Sequence, residues 1–277
     1  MNGNLIIENT CIVTPRGHQS LKGSAMSNLF VIPNGCIIIQ NGIIIYAGDR
    51  EGRPLVSAND KYRVINADGN VTLPGFVDSH THMVFGGFRP DEFEWRLKGD
   101  SYMSIMQRGG GIQSTVNATR RTSETDLINK TRWFIDKMSE MGITTVEAKS
   151  GYGLDFYTEL KMLEVVGALN TEVDKKLEIV PTFMGAHAVP EEYKGETKAY
   201  VDYLIEILPQ FKDKAKFCDV FCEKNVFEID ESRRLLEAAR KLGFKLKLHA
   251  DEIVTLGGGE LSAELKAVSA EKTYTRR

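Results

Sequence analysis

The ten residues LPGFVDSHTH, Leu73–His82, stand where the pattern of the chain changes. Pro74 and Gly75 form a turn, and residues 76–79 are typical of a short strand that ends at His80-Thr81-His82. Because alternate side chains of a strand point the same way, both imidazoles can reach one metal ion. Zinc and ferrous iron both accept imidazole nitrogen. A lone His-x-His pair is a weak signal, so its place in the fold matters.

Downstream of this motif, strands alternate with helices. The pattern predicts strands at 76–79, 143–148, 177–183, 217–222 and 244–248, the start of another at 267–270, and helices at 123–141, 156–169, 198–208, 230–242 and up to 265. We expect Ser123 and Asp230 to cap the first and fourth of these helices. Repeated βα units favour parallel strands with right-handed crossovers. Since a closed eight-stranded barrel needs about 250 residues, the sequence predicts an α/β fold, an incomplete (βα)8 TIM-like barrel over residues 73–270.

Residues 1–72 are rich in short β segments, at 5–13, 36–40, 43–47 and 63–66. Asn41-Gly42 between two of these runs is a strong hairpin signal. The sequence therefore predicts a small, partial N-terminal β-sandwich domain at 1–72. Residues 271–277 are polar and lack periodicity. We expect them to be a tail left by truncation or a frameshift.

Composition excludes several classes of protein. The net charge of −3, with 42% hydrophobic and 26% charged residues, is typical of a globular protein and gives no support for nucleic-acid binding. No apolar run is long enough for a membrane helix and no leader is recognisable, so we expect a cytoplasmic protein. The four cysteines are expected to be reduced, with Cys218 and Cys222 in a buried strand rather than a metal pair.

Four of the five histidines, His80, His82, His187 and His249, follow predicted strands. Active sites of βα barrels lie at those strand ends. His249 can therefore supply a third metal ligand, and Glu252 can act as general base on water activated by the metal. Asp251 competes with Glu252 for that role.

Three glycine-containing loops give weaker indications of function than the histidines. Residues 109–111 and 257–259 lack the spacing of a phosphate loop and are interpreted as flexible turns near the barrel mouth. Tyr152 lies between Gly151 and Gly153 after a predicted strand. A role in substrate binding and a role in packing both stay open for its ring.

The motif at 73–82 resembles the first strand of the amidohydrolase superfamily. That resemblance implies a small β-sandwich beside a distorted βα barrel, and hydrolysis at a mono- or binuclear metal site. Longer stretches resemble the imidazolonepropionase family within it: VFGGFR at 84–89, GGGIQSTV at 109–116, EAKSGYGL at 147–154, GAHAVP at 185–190 and KLHADE at 247–252.

The resemblance implies hydrolysis of 4-imidazolone-5-propanoate to N-formimidoyl-L-glutamate in histidine degradation. One divalent ion, Zn or Fe, would be held by His80, His82, His249 and a later Asp. Glu252 would activate the water, while the substrate-binding residues would be Arg89, Tyr152 and His187. The resemblance leaves a homodimer open.

The chain departs from the family where Glu271-Lys272 replace an expected His, and the later Asp and final barrel strands are not found. We therefore expect the chain alone to be inactive and poorly soluble. Two alternatives stay open: an inactive truncated fragment, or another amidohydrolase or deaminase that acts on a cyclic amide or amidine.

Overall fold

The computed structural model describes residues 3–17, 21–57, 59–100, 104, 110–172 and 175–271. The chain divides into two compact units, Met1–Gly75 and Phe76–Arg277. The second unit carries all the candidate site residues.

The first unit is a five-stranded sheet in the order β3-β2-β1-β4, with β5 also paired to β1. Its strands are β1 Leu5–Pro15, β2 Leu29–Gln40, β3 Ile43–Asp49, β4 Arg63–Asn66 and β5 Val71–Thr72. The predicted hairpin is confirmed, because Asn41 and Gly42 both have positive φ (52° and 79°) between antiparallel β2 and β3. Short 3-10 helices cover Gly23–Ser27 and Arg50–Gly52.

The second unit is a six-stranded sheet in the order β11-β10-β9-β8-β7-β6, in which every neighbouring pair is parallel. Its strands are β6 Phe76–Thr81, β7 Ile143–Lys149, β8 Glu178–Ala186, β9 Phe217–Cys222, β10 Lys245–Ala250 and β11 Ser269–Glu271. The predicted strands and their parallel order are thus confirmed, including the sixth.

The sheet curls into a partial barrel. His80 lies in β6 and His249 in β10, four strands apart, which in a flat sheet corresponds to about 19 Å. Yet their Nε2 atoms are 3.1 Å apart. Curling therefore brings the ends of distant strands to one place, as the predicted incomplete TIM-like barrel requires.

Helices connect these strands: α1 Pro90–Leu97, α2 Ile112–Arg121, α3 Glu124–Glu140, α4 Phe156–Asn170, α5 Thr197–Ile207, α6 Ile229–Lys241 and α7 Gly258–Glu264, with 3-10 turns at Glu191–Tyr193 and Leu208–Phe211. Ser123 caps α3 as predicted, since its side chain accepts the Asp126 N–H. None of the helices in the described part of the chain is long and apolar enough to cross a membrane.

Two details of the sequence prediction are corrected. Glu228, not Asp230, is the residue before α6, and Asp230 lies in the first helical turn, where a negative charge also suits the helix dipole. Helices α1 and α2 were not predicted. The buried positions of α2 are Thr115, Val116 and Thr119, and threonines leave no apolar period to detect.

The core between sheet and helices is apolar. Alternate residues of the strands, such as Val146, Ala148, Leu246 and Leu248, are buried against the helices. Cys218 and Cys222 are free thiols with no exposed surface, which confirms the core interpretation.

Residues 272–277 of the predicted tail lie outside the described residues. Glu271, which the sequence placed at the start of that tail, is instead the last residue of β11, opposite His249 of β10. Its carboxylate lies 2.9 Å from Nζ of Lys247. This ion pair stabilises Glu271 within the sheet rather than in a solvent-exposed tail.

Candidate metal centre

The concave face of the curled sheet is polar. Residues 147, 149, 247 and 249 alternate with the apolar residues above, so their side chains point to the opposite face. Lys149 has no exposed side-chain surface and lies 2.7 Å from Asp219 and 3.0 Å from Glu147. Lys247 lies 2.6 Å from Glu147. Two buried lysines thus offset the carboxylates beneath the histidines.

Three histidines meet at the carboxyl ends of the strands. His80 is the second-last residue of β6, His82 comes directly after that strand, and His249 lies near the end of β10. One ring nitrogen of each lies within 4.8 Å of the others. Two ligands bound to one zinc ion at about 2.0–2.1 Å are roughly 3–3.5 Å apart at ordinary coordination angles, which compares with 3.1 Å between the Nε2 atoms of His80 and His249.

The protonation of the three rings follows from their neighbours. Nδ1 of His82 lies 3.2 Å from the Ser150 carbonyl oxygen, which can only accept. Nδ1 of His249 lies 3.1 Å from a carboxylate oxygen of Asp219, and Nδ1 of His80 contacts the carboxylate of Glu271. Each Nδ1 is therefore expected to carry the hydrogen, which leaves Nε2 with its lone pair.

Two Nε2 lone pairs that face each other at 3.1 Å repel unless a cation lies between them. Burial, together with the neighbouring imidazoles His187 and His249, lowers the pKa of His82 well below its ordinary value, which keeps that ring neutral. Neutral imidazole is the form that binds zinc or ferrous iron. The three residues present thus fit a divalent metal ion.

Asp219, His249 and Glu271 form a second group with ligating atoms close together. Lys149 lies 2.7 Å from Asp219 and 3.5 Å from Glu271. Burial alone would raise the pKa of both carboxyls, but His249 and Lys149 hold that of Asp219 well below its usual range, and His80 and Lys247 lower that of Glu271 to about 2. Lysines already offset the negative charges of these two carboxylates. The group is therefore better suited to orienting the imidazoles than to binding a second metal ion.

His187 and Tyr152 lie beside the histidine cluster. The ring of His187 stacks on His82 with centroids 4.5 Å apart, and Tyr152 lies 5.5 Å from His82 and 5.1 Å from His187. Nδ1 of His187 lies 3.0 Å from the Gly151 carbonyl oxygen, which can only accept, so Nδ1 is expected to carry the hydrogen. A side chain at Gly151 would lie 2.8 Å from Cβ of His187, which explains the glycine before Tyr152.

Arg89 and Tyr152 line one cavity of about 290 Å³ with Phe85, Phe88 and Thr115. Burial raises the pKa of Tyr152, and the nearby Arg89 partly opposes that rise. Nη1 of Arg89 lies 3.2 Å from the buried carboxylate of Glu92. This cavity offers one cation and one phenol hydroxyl between aromatic walls.

Asp251 and Glu252 have different surroundings. The Asp251 carboxylate accepts the backbone N–H groups of Leu256, Gly257, Gly258 and Gly259, at 2.7 to 3.1 Å. Asp251 is therefore committed to the loop before α7, whereas Glu252 is only partly buried. Gly257 is the residue before α7, and Gly258 and Gly259 begin that helix, so these glycines do not form the flexible turn predicted. In the other predicted turn, Gly111 donates its N–H to Glu92, and Gly109 lies outside the described residues.

Sequence reasoning missed the buried acids that support the site. Glu159 of α4 accepts the N–H groups of Gly151, Gly153 and Leu154, and Glu223 accepts those of Ile253 and Val254. Burial raises the pKa of Glu159, and bonds from Ser150 and the backbone partly offset this. The sequence does offer one signal for such buried acids: a charged residue within an otherwise apolar element. Asp219, between Cys218 and Val220, is an example.

Several solved structures share the fold of this chain. The chain resembles 5-methylcytosine deaminase from Klebsiella pneumoniae (TM-score 0.60, 16% identity, 94% of this chain and 55% of that one). It also resembles N-isopropylammelide isopropylaminohydrolase from Burkholderia multivorans (TM-score 0.57, 15% identity, 95% and 58%). At such identities the likeness shows the fold alone. No protein-family model matches the chain.

Curated relatives show the family. Over 274 residues, the chain is 58% identical to imidazolonepropionase of Phocaeicola vulgatus and 55% identical to that of Bacteroides thetaiotaomicron, each time covering 98% of this chain. It is 49% identical to imidazolonepropionase of Clostridium tetani. The chain belongs to the imidazolonepropionase family. It spans 66% of the length of the first two relatives.

Proposed function

We propose that this chain takes part in the metal-dependent hydrolysis of 4-imidazolone-5-propanoate to N-formimidoyl-L-glutamate, a step of histidine degradation. The convergence of His80, His82 and His249 carries the proposal, together with membership of the family. A zinc or ferrous ion held by these imidazoles would supply Lewis acidity, which activates water at neutral pH and polarises a carbonyl.

The protein's own groups would move the protons. Glu252 would take a proton from the attacking water as general base while the new C–O bond forms at the ring carbonyl carbon, and the ring C–N bond would then break. The proton then goes to the departing ring nitrogen. His187, whose ring stacks on that of His82, would contact the substrate.

Arg89 and Tyr152 would bind the propionate end. A guanidinium suits a carboxylate because it donates several hydrogen bonds from one plane. Their shared cavity of about 290 Å³ favours a carboxylate-bearing substrate over a neutral nucleobase-like ring, the substrate of the deaminase alternative. A cytoplasmic location and a homodimer stay predictions of the sequence.

The test begins with metal binding. We expect the chain to bind zinc or ferrous iron at one site and His249→Ala to weaken that binding by more than the roughly 10–100-fold that changes around the ligands cost. His187→Ala is the matched control, since Nδ1 of His187 is committed to Gly151 and the residue is not among the three ligands. Affinities would be measured by competition with a chromophoric chelator.

Loss of 4-imidazolone-5-propanoate, followed in the ultraviolet with the metal-loaded protein, tests the reaction itself. The proposed function predicts turnover that depends on the metal and falls in His249→Ala, whereas no turnover by the metal-loaded chain would support the inactive fragment that the sequence predicts. Equal metal affinity in wild type and His249→Ala would contradict the proposed centre.

A further inference from the structure

We propose that Asp219 is a positioning residue that holds the ring of His249 in its metal-binding form. The inference rests on the metal centre proposed above and assigns a role to a residue outside the three ligands. Asp219 lies in the middle of β9, next to β10, and is completely buried.

Asp219 contacts both a buried lysine and a histidine of the metal centre. Its Oδ2 lies 2.7 Å from Nζ of Lys149 and 3.1 Å from Nδ1 of His249. Its Oδ1 has no hydrogen-bond partner among the described residues, and Nδ1 of His249 lacks full hydrogen-bond geometry. The carboxylate can therefore still accept a hydrogen bond from the ring N–H of His249. Its ion pair with Lys149 fixes the position of the carboxylate.

The tautomer of His249 decides whether the centre is open to a metal ion. With an ionised carboxylate at Nδ1, the hydrogen belongs on Nδ1 and the Nε2 lone pair faces His80. In the other tautomer, Nε2–H of His249 would donate to Nε2 of His80 across 3.1 Å. That bond would close the centre without a metal ion. Asp219 disfavours it, because a lone pair on Nδ1 would then face its negative charge.

Glu147 provides a matched comparison for this role. It is also buried, and its carboxylate lies 3.0 Å from Lys149 and 2.6 Å from Lys247. Its other oxygen accepts the Thr182 hydroxyl. Glu147 belongs to neither group of candidate metal ligands. Neutralising Glu147 removes a comparable buried charge without touching the ring of His249.

The experiment compares Asp219→Asn with Glu147→Gln in the full chain. Loss of an orienting partner of a metal-bound imidazole costs about 10–100-fold in affinity. We expect such a loss of zinc affinity in Asp219→Asn and a change of less than about threefold in Glu147→Gln, on the same reasoning. In the metal-free protein, ¹⁵N shifts of the His249 ring should report Nδ1–H in wild type and in Glu147→Gln, but a mixture of tautomers in Asp219→Asn.

If Asp219→Asn does not fold, Lys149→Met and the double variant Lys149→Met/Asp219→Asn replace it, because the double variant removes the buried charges as a pair. The double variant should then bind zinc more weakly than Lys149→Met alone. Equal zinc affinities of Asp219→Asn and Glu147→Gln, with unchanged His249 shifts, would overturn the positioning role alone. Failure of the wild type to bind zinc would overturn the proposed metal centre as well.

Discussion

Arg89 is held at its cavity by a neighbour within the same segment. One carboxylate oxygen of Glu92 lies 3.2 Å from its Nη1, and the other accepts the Gly111 N–H at 2.6 Å. Glu92 is only 7% exposed, so it forms a fixed support between α1 and the start of α2. Since a guanidinium carries five N–H donors, the ones that Glu92 does not use stay available to a carboxylate.

The first prediction at this scale is that Arg89→Ala weakens substrate binding more than it slows turnover. The side chain would contact the propionate in the ground state and the transition state alike, so KM should rise by about tenfold or more while kcat changes little. Arg89→Lys should restore part of the loss, because it keeps the charge but not the planar donors. Steady-state kinetics of a metal-loaded version restored to the full length of the relatives would measure both. An unchanged KM with a collapsed kcat would show that Arg89 does not anchor the carboxylate.

Two acids hold the loop between β10 and α7 on either side of Glu252. Asp251 accepts four backbone N–H groups from 256–259, and the buried Glu223 at the end of β9 accepts those of Ile253 and Val254. The backbone next to Glu252 is therefore fixed by hydrogen bonds to a neighbouring element and not only by its own turn. A base must lie within hydrogen-bond reach of the proton that it removes, so this loop has to keep its place.

We predict that Glu223→Ala releases this loop. Amide hydrogen exchange at 253–254 should become faster, and kcat should fall by about 10-fold or more with little change in KM, because a misplaced base affects the chemical step. Glu228→Ala is the control, since its carboxylate accepts a long bond from Asn225, outside the loop, at 3.4 Å. Unchanged exchange at 253–254 in Glu223→Ala would contradict this support.

Both sheets of the molecule have open edge strands. In the described residues, β3 ends the first sheet, and β6 and β11 end the second. Ile43, Ile44 and Ile45 of β3 are 68%, 61% and 49% exposed, and Val77 of β6 is 66% exposed. Open edges with apolar side chains pair readily with other chains. The two sheets thus present surfaces that favour association.

We therefore predict that the chain self-associates at micromolar concentrations. Ile44→Lys and Val77→Lys, made separately, should each shift the distribution toward monomer, because a charged edge residue opposes strand pairing. Light scattering after size-exclusion chromatography would measure the mass, and Leu242→Lys, an exposed residue after α6, is the control away from both edges. A monomeric wild type at tens of micromolar, on the same scale of reasoning, would contradict the prediction.

The sequence by itself determined the order and type of most elements, because strand alternation and helix periodicity are local signals. It also determined that His80, His82 and His249 lie at strand ends. Helices α1 and α2 were not predicted from the sequence, because their buried faces carry threonine, glutamate and few large apolar residues.

Only the tertiary structure decided how the site is held. The contact of Asp219 with His249, the position of Glu271 and the support of the two loops by Glu159 and Glu223 join residues from different elements. A local pattern cannot show which buried carboxylate meets which imidazole or backbone N–H. That pairing depends on the curl of the sheet, which brings strands four positions apart into contact and makes each buried charge depend on a distant partner.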